Sequence, residues 1–137
     1  MKLAIYGGSF NPPHLGHVEA AQTVLNELRP DRLLVIPASI PPHKALAEQS
    51  PSAQERLLLT RLAFGSLPNT EVSDMEILRE GKSYSAQTVE QIKAEYPDAD
   101  IFFAMGTDML LSFESWYRFE YLLESMTLAV FSRNNGE

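Results

Sequence analysis

The sequence predicts a doubly wound α/β fold, in which helices cover both faces of a parallel β-sheet. Short and nearly continuous apolar runs recur along the chain, as expected of strands that are buried on both faces. Apolar residues at helical spacing lie between these runs, and strands that alternate with helices are typical of this fold class. The predicted strands cover residues 3–6, 33–36, 101–105 and 128–131.

The first helix follows the first strand. Its apolar residues recur at helical spacing, and Pro30-Asp31 ends the pattern. The residues of this pattern are Leu15, Val18, Ala21, Leu25 and Leu28. Together with the strands on either side, this helix forms a βαβ unit that is right-handed by default.

The sequence pattern in the middle of the chain predicts two more helices. Ser52 and Glu55 have the spacing of a capping box at the start of the second helix. Residues 71–78 alternate imperfectly, which we interpret as a short strand, and residues 85–95 predict the third helix. The residues predicted to face inward are Leu57, Leu58, Leu62 and Phe64 on the second helix and Ala86, Val89 and Ile92 on the third.

Length, charge and composition restrict the function. The 137 residues are enough for one domain and too few for two. A net charge of -7 argues against a surface that binds nucleic acid by neutralising its phosphates. The absence of cysteine excludes disulfides and thiolate metal sites. No apolar run reaches the roughly 18 residues of a membrane span, and the start of the chain lacks a secretion signal. We therefore expect a soluble cytoplasmic protein with no membrane partner.

The loop after the first strand is the most informative segment. Residues 7–17 read Gly-Gly-Ser-Phe-Asn-Pro-Pro-His-Leu-Gly-His. Two adjacent glycines allow backbone geometries that are closed to other residues, and the amides and dipole of the following helix favour an anion. His14 and His17 can flank that anion if the helix begins between them. A glycine pair alone indicates only a turn, but this context predicts a phosphate site at the carboxyl end of a strand, where doubly wound sheets bind ligands.

This segment resembles the signature of the nucleotidyltransferase superfamily, in its nicotinate mononucleotide adenylyltransferase version. Phosphopantetheine adenylyltransferases and cytidylyltransferases share the histidine-x-glycine-histidine core or a close variant. Further motifs follow in the expected order, at residues 36–44, at Gly106-Thr107-Asp108 and at Trp116-Tyr117. The resemblance implies a single Rossmann-like domain that acts as a transferase in NAD biosynthesis.

The resemblance also implies an ATP site. It assigns His14, His17 and Lys44 to catalysis, as groups that neutralise charge on the transferred phosphate and on the leaving pyrophosphate. The implied ATP-binding residues are Gly7, Gly8, Ser9, Phe10, His14, His17, Lys44, Gly106 and Asp108. Without the resemblance, Lys44 is interpreted as a solvated loop charge. For Asp108 a helix cap and a contact with ribose hydroxyls are then equally good interpretations, and the two roles are compatible.

The implied acceptor site is aromatic and polar. Its residues are Asn11, Ser39, Tyr84, Ser85, Asp108, Trp116, Tyr117 and Arg133. An aromatic residue at Trp116-Tyr117 would stack on a pyridine ring. Composition alone favours a core tryptophan, whereas the polar residues before it favour partial exposure. Amides at the helix start near Ser85 would face the nicotinate carboxylate, although an N-cap also explains this serine. Arg133 and the weaker candidate Arg56 are equally well interpreted as surface residues.

The implied reaction is adenylyl transfer from ATP to nicotinate mononucleotide, which gives nicotinate adenine dinucleotide and pyrophosphate. The acceptor phosphate attacks the α-phosphorus in line, so no nucleophilic side chain is required. Positioning and charge stabilisation supply the catalysis. Mg²⁺ is expected to be carried on the ATP phosphates, with no dedicated metal site in the protein.

One departure from the family leaves alternatives open. A serine-serine-threonine-x-x-arginine type motif usually follows the last strand, and the chain reaches Glu137 without it. We therefore expect a C-terminally truncated domain, whose uncovered apolar surface would favour a homo-oligomer. The alternatives are a nucleotide-binding domain without turnover and a phosphopantetheine adenylyltransferase. Trp116-Tyr117 and the loop at residues 41–44 argue against the second.

Overall fold

Five parallel strands form one sheet in the order β3-β2-β1-β4-β5. The computed structural model describes residues 1–41, 46 and 49–132. The strands are β1 (Lys2–Gly8), β2 (Arg32–Pro37), β3 (Thr70–Val72), β4 (Asp100–Gly106) and β5 (Thr127–Phe131). The order runs outward from β1 in both directions, so the doubly wound fold predicted from the sequence is confirmed.

Six helices are present in the described part of the chain. They are α1 (Leu15–Leu28), α2 (Ala53–Phe64), α3 (Met75–Arg79), α4 (Ser85–Glu95), α5 (Thr107–Leu111) and α6 (Phe119–Ser125), and a 3-10 turn covers Phe113–Ser115. None of the helices within the described ranges has the length and apolar character needed to cross a membrane.

The helices pack on both faces of the sheet, as predicted. Side chains of β1 alternate between the two faces, because successive residues of a strand point in opposite directions. Leu3 and Ile5 join a buried cluster that includes residues of α3, α4 and α6. Ala4 and Tyr6 join a second cluster with residues of α1 and α2. The central strand is therefore covered on both sides, which explains its continuous apolar run.

Two helix predictions are confirmed in detail. The third predicted helix is α4, which begins and ends at the predicted residues and buries Ala86, Val89 and Ile92. The predicted capping box begins α2, where the Glu55 N–H donates to Ser52 Oγ and the Ser52 N–H donates to Glu55 Oε1. These hydrogen bonds lower the pKa of Glu55 below its usual range.

The predicted buried face of α2 is wrong in part. Leu58 and Leu62 are 60% and 73% exposed. The residues that α2 buries are Arg56, Leu57, Thr60 and Phe64. Leucines occur on several sides of this helix, so hydropathy alone does not fix the buried side. Leu15, the first residue of the pattern predicted for α1, is also exposed.

The strand predicted over residues 71–78 is wrong in its second half. β3 ends at Val72, and α3 begins at Met75. Met75, Glu76 and Ile77 are consecutive and all buried in α3, which a half-buried strand would not allow. A short helix thus places an acidic side chain inside the molecule.

Candidate functional site

A cavity of about 420 Å³ opens at the carboxyl ends of β1 and β4. The strand order reverses between these two strands, which is where doubly wound sheets bind their ligands. The volume lies within the range of small-molecule sites. Its lining includes eleven of the described residues that the sequence singled out: Gly7, Gly8, Ser9, Phe10, His17, Tyr84, Ser85, Gly106, Asp108, Trp116 and Tyr117.

Gly7 and Gly8 end β1 and line one wall of the cavity. The prediction that this pair supplies an unusual backbone geometry is wrong, because the left-handed φ of the loop, 46°, falls on Phe10. A Cβ atom on Gly8 would lie 3.4 Å from the Phe10 ring. The Phe10 ring is 2% exposed and packs edge-on against Tyr6 and Phe64. A Cβ atom on Gly7 would lie no closer than 3.8 Å to a neighbouring atom, so both positions would make only ordinary contacts, and the buried Phe10 ring is the feature that fixes the turn.

The two histidines begin α1 as a reciprocal cap. The Gly16 N–H donates to His14 Nδ1 (3.1 Å), and the His14 N–H donates to His17 Nδ1 (3.0 Å). The rings stack with their centroids 3.8 Å apart. Because each Nδ1 accepts a hydrogen bond, the neutral rings carry their proton on Nε2. The helix begins at Leu15, between the histidines, and His17 lines the cavity whereas His14 is not part of its wall.

Arg56 connects the loops that follow β1 and β2. Its Nη1 donates to the carbonyl oxygens of Ser9 (2.8 Å) and Ala38 (2.6 Å), and its Nη2 donates to that of Ser39 (2.8 Å). The side chain is 1% exposed, and burial lowers the pKa of its guanidinium. The surface interpretation of Arg56 is therefore wrong. Its signal in the sequence was its spacing from Thr60 and Phe64, one helical turn apart each.

The other polar candidates near these loops differ in position. Asn11 Nδ2 donates to Ser50 Oγ (2.8 Å), while its buried Oδ1 has no hydrogen-bond partner among the described residues. The Ser39 N–H donates to Ser83 Oγ (2.9 Å). Neither Asn11 nor Ser39 is part of the cavity wall. Lys44 and Arg133 lie outside the described residues.

Trp116 is a core residue that also lines the cavity. It is 8% exposed, so the expected partial exposure is wrong. Its ring packs against Phe103 and Phe113, and its Nε1 donates to Ser112 Oγ (3.4 Å). Neighbouring Tyr117 is half exposed. Trp116 and Tyr117 both line the cavity, and we call this part of the lining the aromatic wall.

The start of α4 forms the adjoining part of this wall. Tyr84 is the N-cap residue and Ser85 the first helical residue, so the N-cap interpretation of Ser85 is wrong. The ring centroids of Tyr84 and Tyr117 are 4.8 Å apart. No side chain caps this helix start in the described structure. The amides of its first turn are thus of the kind that bind anions.

Gly106 and Asp108 lie at the junction of β4 and α5. Gly106 ends β4 and is the N-cap residue of α5, so the helix-cap interpretation of Asp108 is wrong. Asp108 is the second residue of α5, exposed, and part of the cavity wall. Its carboxylate is placed to accept hydrogen bonds from a ligand.

Among the lining residues that sequence reasoning missed, Glu76 is the one with an ionisable carboxyl. It is 7% exposed, and its Oε2 accepts a hydrogen bond of 2.6 Å from Thr88 Oγ1. Burial raises the pKa of its carboxyl to about 7, although hydrogen bonds from Thr88 and Ser83 and the charge of Arg79 act in the opposite direction. The only sequence signal was an acidic residue between the apolar Met75 and Ile77.

Comparison with other sequences connects this site to known proteins. The family model for cytidylyltransferase-like proteins matches residues 5–135. A probable nicotinate-nucleotide adenylyltransferase of Geobacter sulfurreducens is 42% identical over 100% of this chain, which covers 63% of that protein. A protein of the same name from Oceanobacillus iheyensis is 38% identical over 96% of this chain and 68% of its own length. The chain thus spans a little under two thirds of the length of the Geobacter relative.

Solved structures agree in fold. A putative nicotinate-nucleotide adenylyltransferase from Vibrio parahaemolyticus superposes with a TM-score of 0.76 at 28% identity, over 98% of this chain and 76% of that chain. The Plasmodium falciparum nicotinic acid mononucleotide adenylyltransferase, complexed with NaAD, gives a TM-score of 0.79 over 99% of this chain and 66% of that chain. At 19% identity, the second likeness concerns the fold alone. With the strand order, the glycine-histidine loop and the family match in agreement, the chain belongs to the cytidylyltransferase-like family, among relatives named nicotinate-nucleotide adenylyltransferases.

Proposed function

We propose that this chain transfers the adenylyl group of ATP to nicotinate mononucleotide, giving nicotinate adenine dinucleotide and pyrophosphate, as a step of NAD biosynthesis. The observation that carries the proposal is a single cavity with two unlike ends. Gly7–Phe10 and His17 form one end, and Tyr84, Trp116 and Tyr117 form the other. The relatives' names specify adenylyl transfer and a nicotinate nucleotide.

The glycine-histidine end is suited to the reacting phosphates. His14 and His17 are held by their Nδ1 atoms, which leaves Nε2–H as the group each neutral ring can donate. His17 lines the cavity, and donors of this kind stabilise charge that develops on a transferred phosphate. Lys44 adds a positive charge in this proposal. Pro41, three residues before Lys44 in the sequence, lines the cavity.

The aromatic end is suited to the acceptor. Trp116 and Tyr117 offer faces and edges for a pyridine ring, and the first turn of α4 offers amides for its carboxylate. Recognition by amides favours the charged nicotinate over the neutral nicotinamide. Asp108, which is exposed and lines the cavity, would accept hydrogen bonds from ribose hydroxyls.

Mg²⁺ enters the proposal with ATP. This ion keeps several waters and binds through phosphate oxygens and one or two carboxylates, so it needs few ligands from the protein. Within the described residues, Asp108 is an exposed carboxylate on the cavity wall, and no group of three or more His, Asp or Glu side chains could hold a metal. In this proposal the ion is carried by ATP and neutralises charge on its phosphates.

Pyrophosphate release tests the proposal. The purified chain is given ATP and Mg²⁺ with nicotinate mononucleotide, nicotinamide mononucleotide or phosphopantetheine, in parallel. We expect release with nicotinate mononucleotide and much less with the other two. Release with phosphopantetheine alone would overturn the acceptor assignment. No release with any acceptor, combined with saturable mononucleotide binding, would make the chain a nucleotide-binding domain without turnover.

A further inference from the structure

Glu76 is an acidic residue in a wall that is otherwise mainly aromatic. It lines the same cavity as Tyr84, Phe103 and Trp116, and it is 7% exposed. An ionisable group in such surroundings is costly unless its charge has partners. The adenylyl transfer proposed above gives Glu76 no role, since it assigns the reacting phosphates to Gly7–Phe10 and His17.

Hydrogen bonds around Glu76 are directed toward its carboxylate. Ser83 Oγ accepts from the Ser39 N–H (2.9 Å), and Thr88 Oγ1 accepts from Arg79 Nη2 (2.8 Å). A hydroxyl has one proton to donate. Thr88 donates it to Glu76 Oε2 (2.6 Å), and Ser83 is the second hydrogen-bond partner of the same carboxyl. Both hydroxyls are thus oriented to stabilise the ionised form.

Burial raises the pKa of Glu76 to about 7, so the carboxyl is mostly ionised only above neutral pH, and the charge of Arg79 compensates it in part. In its ionised form this carboxylate favours a positive charge in the cavity. The ring of a pyridine mononucleotide is a pyridinium, whose charge is spread over the ring atoms, and the first turn of α4 is available for the ring's own carboxylate. Attraction across a wall from which water is excluded is stronger than in bulk water. The aromatic faces hold the ring by shape, and the carboxylate distinguishes it by charge.

We propose that Glu76 is a specificity-determining residue that selects an acceptor nucleotide with a cationic ring over a neutral-ring nucleotide of the same shape. This inference rests on the proposed function, because it assumes that the aromatic end receives the acceptor ring. It extends that function by assigning a residue to the ring's charge, separate from the residues that would contact its carboxylate and phosphate.

A binding experiment tests the inference without relying on turnover. The probes are nicotinate mononucleotide and its analogue in which carbon replaces the ring nitrogen, so that ring shape, carboxylate and phosphate are kept. Binding is followed by the fluorescence of Trp116, the one tryptophan of the chain, which lines the cavity. We expect the unmodified chain to bind the cationic probe about tenfold more tightly, which corresponds to about 1.4 kcal/mol.

Two variants assign this preference to one side chain. In Glu76→Gln we expect the two probes to bind within about twofold of each other, because nicotinate mononucleotide loses affinity and the neutral analogue does not. Glu95→Gln removes the same charge from the exposed end of α4 and should keep the tenfold preference. In turnover assays, Glu76→Gln should raise the KM for the mononucleotide and leave the KM for ATP unchanged.

The outcomes separate this inference from the proposed function. Equal binding of both probes by the unmodified chain would overturn the inference even if Glu76→Gln did not fold. A tenfold preference that survives in folded Glu76→Gln would overturn it as well. Conversely, a preference that depends on Glu76 in a chain that releases no pyrophosphate would support the inference and contradict the proposed transferase activity.

Discussion

The two ends of the cavity are built by opposite means. The phosphate end, formed by Gly7–Phe10 and His17, comes from one continuous segment of the chain, in which His14 and His17 cap the start of α1. The aromatic end, formed by Glu76, Ser83–Ser85 and Trp116-Tyr117, comes from three separated segments and contains a buried carboxyl. An acceptor with an anionic phosphate and a cationic ring would place its phosphate at the phosphate end and its ring at the aromatic end. The charges of the two ends, as well as the shape of the cavity, would therefore determine the orientation of the acceptor.

The largest expected effect tests how the phosphate end is held in place. Arg56→Met should destabilise the fold by roughly 3 to 5 kcal/mol, because three carbonyl oxygens, one buried and two partly buried, lose their charged donor. Urea unfolding measures this change. Arg61→Met on the same helix is the matched control, since Arg61 makes only a 3.9 Å surface contact with Asp74. A similar, small loss for both variants would show that Arg56 is not needed to hold the loops.

The next effect concerns catalysis at the same end. His17→Ala should lower kcat by about 10² to 10³, because a donor aimed at developing phosphate charge is lost. Its loss also removes half of the α1 cap, which costs about 1 kcal/mol of stability. Pyrophosphate release and unfolding, measured on the same preparation, separate the two effects. Near-normal turnover in the folded variant would remove His17 from the reaction.

The difference between the two ends also explains what the sequence predicted well. The glycine-histidine loop is contiguous, so its position after a strand followed from the sequence pattern and its site residues from the family resemblance. The helix start between the histidines, which was a condition of the predicted anion site, is observed at Leu15. β1 and α4 were predicted for a similar reason, because the burial of Ala86, Val89 and Ile92 follows directly from helical periodicity.

What the sequence did not predict depends on partners far along the chain. Arg56 is buried because it meets carbonyl oxygens 17 to 47 residues away, and no local pattern reports them. Glu76 is buried because Thr88 and Ser83 hydrogen-bond to it from the next helix and the loop before it. Trp116 was expected to be exposed from its polar neighbours, yet packing against Phe103 of β4 decides its position.

A pH experiment tests how much stability the fold loses because the aromatic end buries the carboxyl of Glu76. The folded pKa of Glu76 is about 7 and its ordinary value is 4.5, so the folded state binds the proton more tightly. The stability contributed by the protonated form is fully present below pH 4.5, is lost as pH rises toward 7 and stays lost above it. The loss is on the order of 3 kcal/mol.

Glu76→Gln should remove this pH dependence. Urea unfolding of both proteins between pH 5 and 8 should show the variant gaining stability relative to the unmodified chain as pH rises. The gain would identify a residue kept at a cost in stability, as residues that serve binding often are. Parallel stability profiles for the two proteins would show that the carboxyl titrates normally in the fold.

The smallest expected effect tests whether Tyr117, the exposed residue of the aromatic wall, contacts the ring of the mononucleotide. Tyr117 is 50% exposed and contacts Tyr84, so Tyr117→Ala should leave stability within about 0.5 kcal/mol. An aromatic contact with a ligand ring contributes about 0.5 to 1.5 kcal/mol, so the KM for the mononucleotide should rise about three- to tenfold, with kcat and the KM for ATP unchanged. Tyr121→Ala, on α6 and outside the cavity wall, is the control. If the KM for ATP rose instead, Tyr117 would belong to the ATP site, and the division of the cavity into a phosphate end and an aromatic end would have to be redrawn.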